Sequence, residues 1–207
     1  MSSSIIRKAH GQFIFSRRVE VLASEICKLL PQDCRVLDVG SGSGDIAVAV
    51  MRSRPDVTIQ GVDVFVRGET AIPVTAFDGL TLPFENESFD CAMLIDVLHH
   101  TDDPAELLSE AARVSTKGII LKDHYRDPLL GRLRLRLMDW VGNASHGVRL
   151  PYNYLSKAEW NNIWQKLGLR PQAINEDIPL YPIPLSMMFG TGLHLVAFLT
   201  KNSVSAR

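Results

Sequence analysis

Scarcities give the first guide to this sequence. Cysteine is rare: Cys27, Cys34 and Cys91 are the only three in 207 residues. An odd number without paired, metal-like spacing argues against a disulfide framework or a zinc site, so no metal is expected and a reducing, cytoplasmic setting fits best. An excess of one charge is also missing, since 22 Lys and Arg stand against 23 Asp and Glu. A general nucleic-acid-binding surface needs a basic bias, and no aromatic RNA-binding motif replaces it, so no nucleic-acid partner is expected. No stretch approaches the ~20 apolar residues of a membrane span, and the first eight residues hold no continuous apolar signal region. That leaves a soluble protein with peripheral membrane contact still open, as a monomer or a homodimer.

What is present is an ordinary globular composition, 46% apolar and 22% charged. A chain of this length can bury roughly 70% of its unfolded surface in one domain. After a polar start, Val19, Leu22, Ala23, Ile26, Leu29 and Leu30 recur at helical spacing until Pro31. A strand-like run from Cys34 to Val39 ends in glycines, and the apolar stretch Ile46 to Met51 suits a packed helix. Further strands are expected over residues 57–63, 72–77, 89–96 and 118–122. Pro73 favours an edge position for the 72–77 strand, and the nearly continuous apolar run at 89–96 favours a central one. A helix over 104–113 has Asp102 or Asp103 as cap, and Ser156 to Glu159 has capping-box spacing before a helix that Gly168 stops. Residues 193–199 read as a final strand. The alternation predicts an α/β fold: a Rossmann-like open, mostly parallel sheet with helices on both faces and ligands beyond the carboxyl ends of the strands.

The rhythm breaks at Tyr125. Residues 125–155 are too long for a connector and read as a lid-like insertion after the fifth strand. The single domain, 1–207, is thus divided into an N-terminal helical cap (1–31), a cofactor-binding half (32–124), the insertion (125–155), and a C-terminal helix and strands (156–207). Within the insertion, Leu130, Leu133, Leu137, Trp140 and Val141 can share one apolar helical face, although 132–137 also alternates like a strand. Arg132, Arg134, Arg136 and Arg149 suit a solvated face, an anionic acceptor or a membrane surface. Asp139, Asn143, His146, Tyr152 and Tyr154 supply polar tips and aromatic walls useful in a small-molecule pocket. The proline-interrupted segment 178–189 cannot be a regular central strand, and it suits a cover over a hydrophobic acceptor or a subunit contact.

The turn Asp38-Val39-Gly40-Ser41-Gly42-Ser43-Gly44 lets backbone approach a ligand closely. Asp45 stands where a dinucleotide fingerprint wants glycine or alanine, and an acid is a poor neighbour for pyrophosphate. A phosphate loop ending in Gly-Lys-Ser/Thr is absent. A cationic ligand with an amino acid moiety fits better, and S-adenosylmethionine has both features.

Residues 36–45 resemble motif I of the class I S-adenosylmethionine-dependent methyltransferases. Gly61-Val62-Asp63-Val64 resembles their second motif and Phe77-Asp78-Gly79 their adenine-side motif. The stretch from Leu82-Pro83-Phe84 to Phe89-Asp90 resembles the approach to their fourth strand, and Val97-Leu98-His99-His100 is similar to small-molecule enzymes of the ubiquinone and menaquinone type. The resemblance implies S-adenosylmethionine as cofactor, with Asp38, Gly40, Ser41, Gly42, Gly44, Asp63, Val64, Asp78, Gly79 and Asp96 around it. Asp38 and Gly40 would face the methionine part, Asp63 the ribose hydroxyls and Asp78 the adenine amino group. The plainer role for Asp63 and Asp78 is to cap turns. Only residues 64–77 separate them, so the family's helix at this place must be shortened or absent.

Methyl transfer from a sulfonium needs alignment and desolvation more than a protein nucleophile. His100, then His99 and His124, are the strand-end imidazoles placed to act as base; packing beside the cofactor is the plainer reading. The expected activity is methylation of oxygen or carbon on a small aromatic or hydrophobic metabolite. The alternatives are a cofactor-binding scaffold or regulator without transfer activity, or a protein methyltransferase.

Overall fold

The computed structural model describes residues 2–143, 153–183, 185–190 and 192–202; side chains are described from residue 15 onward, except 139–143, 187 and 188. Its strands are β1 (Arg35–Val39), β2 (Thr58–Asp63), β3 (Val74–Ala76), β4 (Phe89–Ile95), β5 (Ser115–His124), β6 (Leu169–Asn175) and β7 (His194–Lys201). They form one sheet in the order β3-β2-β1-β4-β5-β7-β6. The first five strands pair in parallel, and β7 lies antiparallel between β5 and β6. The helices are α1 (Ser2–Leu29), α2 (Asp45–Ser53), α3 (Pro104–Val114), α4 (Gly131–Asn143), α5 (Lys157–Lys166) and α6 (Leu185–Phe189). This is the Rossmann-like, mostly parallel α/β sheet that the alternation predicts, with its last strand antiparallel.

The apolar pattern of β4 explains its central place. Cys91 and Met93 join a core with Val36, Ile120, Val19, Ile26 and Val50, which belongs to the face covered by α1 and α2. Ala92 and Leu94 turn the other way, toward Leu37, Leu121, Leu107 and Trp160 under α3 and α5. A strand covered on both faces has no solvent side, so alternation disappears. At the opposite extreme β3 is an edge strand preceded by Pro73, and β2 runs into it through turns rather than a helix.

Asp103 is the cap of α3, accepting from the amides of Ala105 at 2.8 Å and Glu106 at 3.3 Å. Asp103→Ala is expected to cost about 1 kcal/mol, read as a lower urea midpoint at unchanged slope. The Ser156–Glu159 capping box opens α5 as its spacing requires.

Three local readings change. Helix α1 begins at Ser2, well before the apolar repeat that marks it in the sequence. Strand β6 has one buried residue, Leu169, and a register shift at Pro171, so it carries neither an apolar run nor alternation. Helix α4 settles the ambiguity of residues 132–137, but among its described side chains Leu135 is the buried one; Leu133 and Leu137 face outward. Leu135 packs instead with Tyr154 and Leu193. The side chains of Asp139, Trp140, Val141 and Asn143, and all of His146, Arg149 and Tyr152, lie outside the described residues.

Candidate active site

At the carboxyl end of β1 the chain turns through Gly40, Gly42 and Gly44, with φ of 73°, 57° and 82°. Gly40 is required twice over. Its φ lies in the left-handed region, and a Cβ there would stand 2.6 Å from Val97 Cγ2. Val97 follows β4, so this close approach locks the glycine turn to the end of the central strand. The Gly42 amide donates to Asp63 Oδ2 at 2.8 Å, and the Phe65 amide donates to Asp63 Oδ1 at 3.0 Å. Asp63 therefore ties the ends of β1 and β2 together. Inside the turn, Ser41 Oγ is buried without a hydrogen-bond partner among the described residues. Asp38 is 4% exposed, and its carboxyl is pushed up to about 7 by burial and then by the charge of Asp63.

The rim beyond β2 and β3 is open. Val64 is exposed and approaches Gly79, whose Cβ would lie 3.1 Å from Val64 Cγ1. Asp78 is exposed in the same loop. Its Oδ1 accepts from Thr81 at 2.7 Å and Leu80 at 2.8 Å, bonds that hold the carboxyl below its ordinary range. The turn-capping role expected for Asp63 and Asp78 is thus present in both, and each carboxylate keeps further lone pairs.

A buried polar cluster occupies the carboxyl ends of β4, β5 and β7. Asp96, at φ 59°, accepts from Lys122 Nζ and from Arg18 of α1. Burial alone would raise its carboxyl, but Lys122, Arg18 and the nearby imidazoles hold it well below the usual range. Lys122 is 1% exposed; burial pulls its ammonium down while Asp96 favours the charged form. Lys122 Nζ also lies 3.3 Å from His124 Nε2.

Asp123 carries the other negative charge. Its Oδ1 accepts from the His124 amide at 2.8 Å and lies 2.8 Å from His99 Nδ1 and 3.3 Å from His124 Nδ1. Burial would raise this carboxyl too, yet His99 and His124 hold it below the ordinary range. Burial, then Lys122, pushes His124 down to about 4, so it is neutral near pH 7 and donates through Nδ1 while Nε2 accepts from Lys122. Burial, then His99, likewise brings His100 down to about 4. The His100 ring lies 4.0 Å from that of His99, and Tyr154 stacks on His99 at 5.4 Å. His194 faces His124 across the β5–β7 pair, with ring centroids 5.0 Å apart.

Asp96, His99 and His124 offer ligand atoms within 4.8 Å of one another, a spacing open to a metal ion. The Lys122 ammonium already bridges Asp96 and His124, and the charges Asp96, Asp123, Lys122 and Arg18 balance. A divalent ion would have to displace a buried cation from its own counter-ion, which is costly.

The two groups of expected residues meet at one turn. Val97 packs on Gly40, and the short 3-10 turn Leu98–His100 that follows carries His99 to Asp123. Val64, Asp78 and Gly79 stand apart, on the open rim. The sequence reading left out Arg18, Lys122 and His194 as members of the cluster. Lys122 had a signal: a lysine within the otherwise apolar run 119–122 must be buried and paired. Arg18 and His194 had none, because long-range folding brings them in.

A methyltransferase domain family matches residues 12–174 of the chain. A demethylmenaquinone methyltransferase of Roseiflexus castenholzii is 35% identical over 99 residues, covering 42% of this chain and 41% of that protein. A 27-O-demethylrifamycin SV methyltransferase of Amycolatopsis mediterranei is 28% identical over 165 residues, covering 72% and 58%. The matches therefore span between two fifths and three fifths of these relatives' lengths. Among solved structures, a methyltransferase complexed with the Trm112 methyltransferase activator of Haloferax volcanii superposes with a TM-score of 0.71, at 16% identity and 96% coverage of both chains. An S-adenosylmethionine-dependent methyltransferase of Thermotoga maritima gives 0.62 at 20% identity, covering 94% and 96%.

Proposed function

The chain belongs to the methyltransferase domain family, and from that premise we propose that it binds S-adenosylmethionine at the glycine turn and methylates oxygen or carbon of a small aromatic or hydrophobic acceptor, with His99 as base. The observation that carries this reading is the single turn joining Val97, packed on Gly40, to His99, paired with Asp123.

The residues at the turn suit this cofactor. The bare Gly40 admits close approach, buried Ser41 Oγ has a hydrogen bond to give, and the Asp38 carboxyl gains a cationic neighbour. Bound S-adenosylmethionine supplies an electrophilic methyl group on a sulfonium. Asp63 would accept from the ribose hydroxyls on its remaining lone pairs, Val64 and Gly79 would flank the adenine, and Asp78 would accept from its amino group. Asp96, paired with Lys122 and Arg18, would border the methionine end.

His99 Nδ1 is held 2.8 Å from Asp123 Oδ1, which orients the ring and favours the imidazolium formed when it takes a proton from an acceptor hydroxyl. His100 and His124, at about 4, are weak bases near neutrality and serve better as walls. The Asp123 partner favours His99 over His100, the first choice from sequence. Tyr154, stacked on His99, covers the acceptor from the insertion side. The names of the relatives support a small-molecule acceptor.

Calorimetry with S-adenosylmethionine tests the first half. Gly40→Ala is expected to abolish measurable heat, and no binding by the unaltered chain would overturn the cofactor assignment. Label transfer from the methyl-labelled cofactor to hydroxylated aromatic and quinol acceptors tests the second. Binding without transfer to any acceptor would favour the scaffold reading, and label in protein fractions alone would favour a protein substrate.

Asp38 makes the binding pH-dependent. Its carboxyl rises from 3.8 to about 7 on folding, so its stabilising contribution is present below the lower value and lost as pH rises through the upper one. A cationic ligand prefers the ionised form. Affinity is therefore expected to rise about tenfold between pH 6 and 8, and Asp38→Asn to flatten that rise.

A further inference from the structure

Helix α4 has two faces with different partners. The inner one is accounted for: Leu135 is buried against Tyr154 and Leu193, and Met138 lies beside them, its sulfur accepting from the Tyr181 hydroxyl at 3.1 Å. The outer face carries Leu133 at 64% and Leu137 at 44% exposure, one turn apart, and Leu129 at 87% and Leu130 at 64% precede them. Single exposed leucines are ordinary, whereas a contiguous group on one helix marks an association surface.

The charges on this face say what it meets. At 100° per residue, Arg132 and Arg136 form a stripe beside that of Leu133 and Leu137, and both arginines are exposed. Residues 131–138 carry three arginines and no acid, and Asp139 follows them in α4. A leucine stripe flanked by arginines matches a bilayer interface: the leucines reach the acyl boundary while the guanidinium groups stay at the phosphate plane. No helix among the described residues is long and apolar enough to cross a membrane, so the contact is one of lying on the surface.

We propose that the outer face of α4 docks on an anionic phospholipid surface and that the acceptor is an amphiphile taken from that surface. The geometric link is Tyr154, which shares a buried cluster with Leu135 of α4 and stacks on His99. Docking by the outer face of α4 therefore sets Tyr154 and His99 behind the docked helix, one helix diameter (~10 Å) from the bilayer. The acceptor class rests on the methyl-transfer reading above. The docking surface does not, and its test needs no turnover.

The probe is flotation of the full chain with phosphatidylcholine vesicles, with and without phosphatidylglycerol. Binding is expected only with the anionic lipid, weakening as salt rises. Arg132→Gln with Arg136→Gln is expected to weaken it about thirtyfold, and Leu133→Ser with Leu137→Ser to abolish it. All four substitutions should leave cofactor binding and thermal unfolding unchanged. Absence of flotation with anionic vesicles, or equal flotation by the variants, would overturn the proposal. So would a fall in native mass on serine substitution without vesicle binding, which would assign the face to a second copy of the chain. Vesicle binding with no cofactor binding would uphold the surface and remove the methyl-transfer reading alone.

Discussion

Asparagine in place of Asp123 is expected to lower kcat by about 10²- to 10⁴-fold while leaving cofactor affinity within about threefold. Asp123 Oδ1 serves three nitrogen atoms, His99 Nδ1, the His124 amide and His124 Nδ1. A carboxylate can accept at all of them. An amide that turns its NH2 toward His99 forces the imidazole into the other tautomer, with the proton on the nitrogen that must receive one. His99→Gln should cost as much, and the double variant little more, because the two residues act as a unit. A merely structural role would move stability and KM together with kcat. Full kcat with normal KM in Asp123→Asn would remove His99 from the chemistry.

The second large effect concerns stability. Lys122→Met is expected to destabilise the chain by about 3–5 kcal/mol, because it leaves the Asp96 charge in a buried place with only Arg18 opposite. A surface ion pair would cost far less, about 0–1 kcal/mol; the difference is that Lys122 is almost wholly buried. Adding Asp96→Asn should recover most of the loss, since the uncompensated charge disappears while methionine fills the lysine stem's volume. Urea midpoints of the two variants decide it. If Lys122→Met alone is as stable as the unaltered chain, the ammonium is not the cation that balances Asp96.

Much of this fold is written locally. β4 announces its central place by an apolar run that serves two faces, α5 announces its start by a capping box, and the glycine turn can be located because no side chain fits there. The same holds for the absent helix between β2 and β3, which too few residues remain to build. Where an element draws stability from a partner instead of its own pattern, the sequence is mute. β6 buries only Leu169 and is held by its ladder to β7. In α4, the choice between Leu135 and Leu133 as the inward position depends on Tyr154 and Leu193, both distant in the chain.

The reaction site divides in the same way. The amino acid sequence by itself determined the glycine turn and the strand-end carboxylates of the candidate site, because close backbone approach and carboxylate placement are demands of local chemistry. Only the tertiary structure decided the other end. His99, His100 and His124 look alike along the chain, and only packing sets His99 and His124 against Asp123 and brings His100 and His124 down to about 4. That shift comes from desolvation and from Lys122 and His99 as neighbours, both products of packing. Arg18 and His194 enter for the same reason: a buried charge or imidazole must find its partners in space, wherever the chain has placed them.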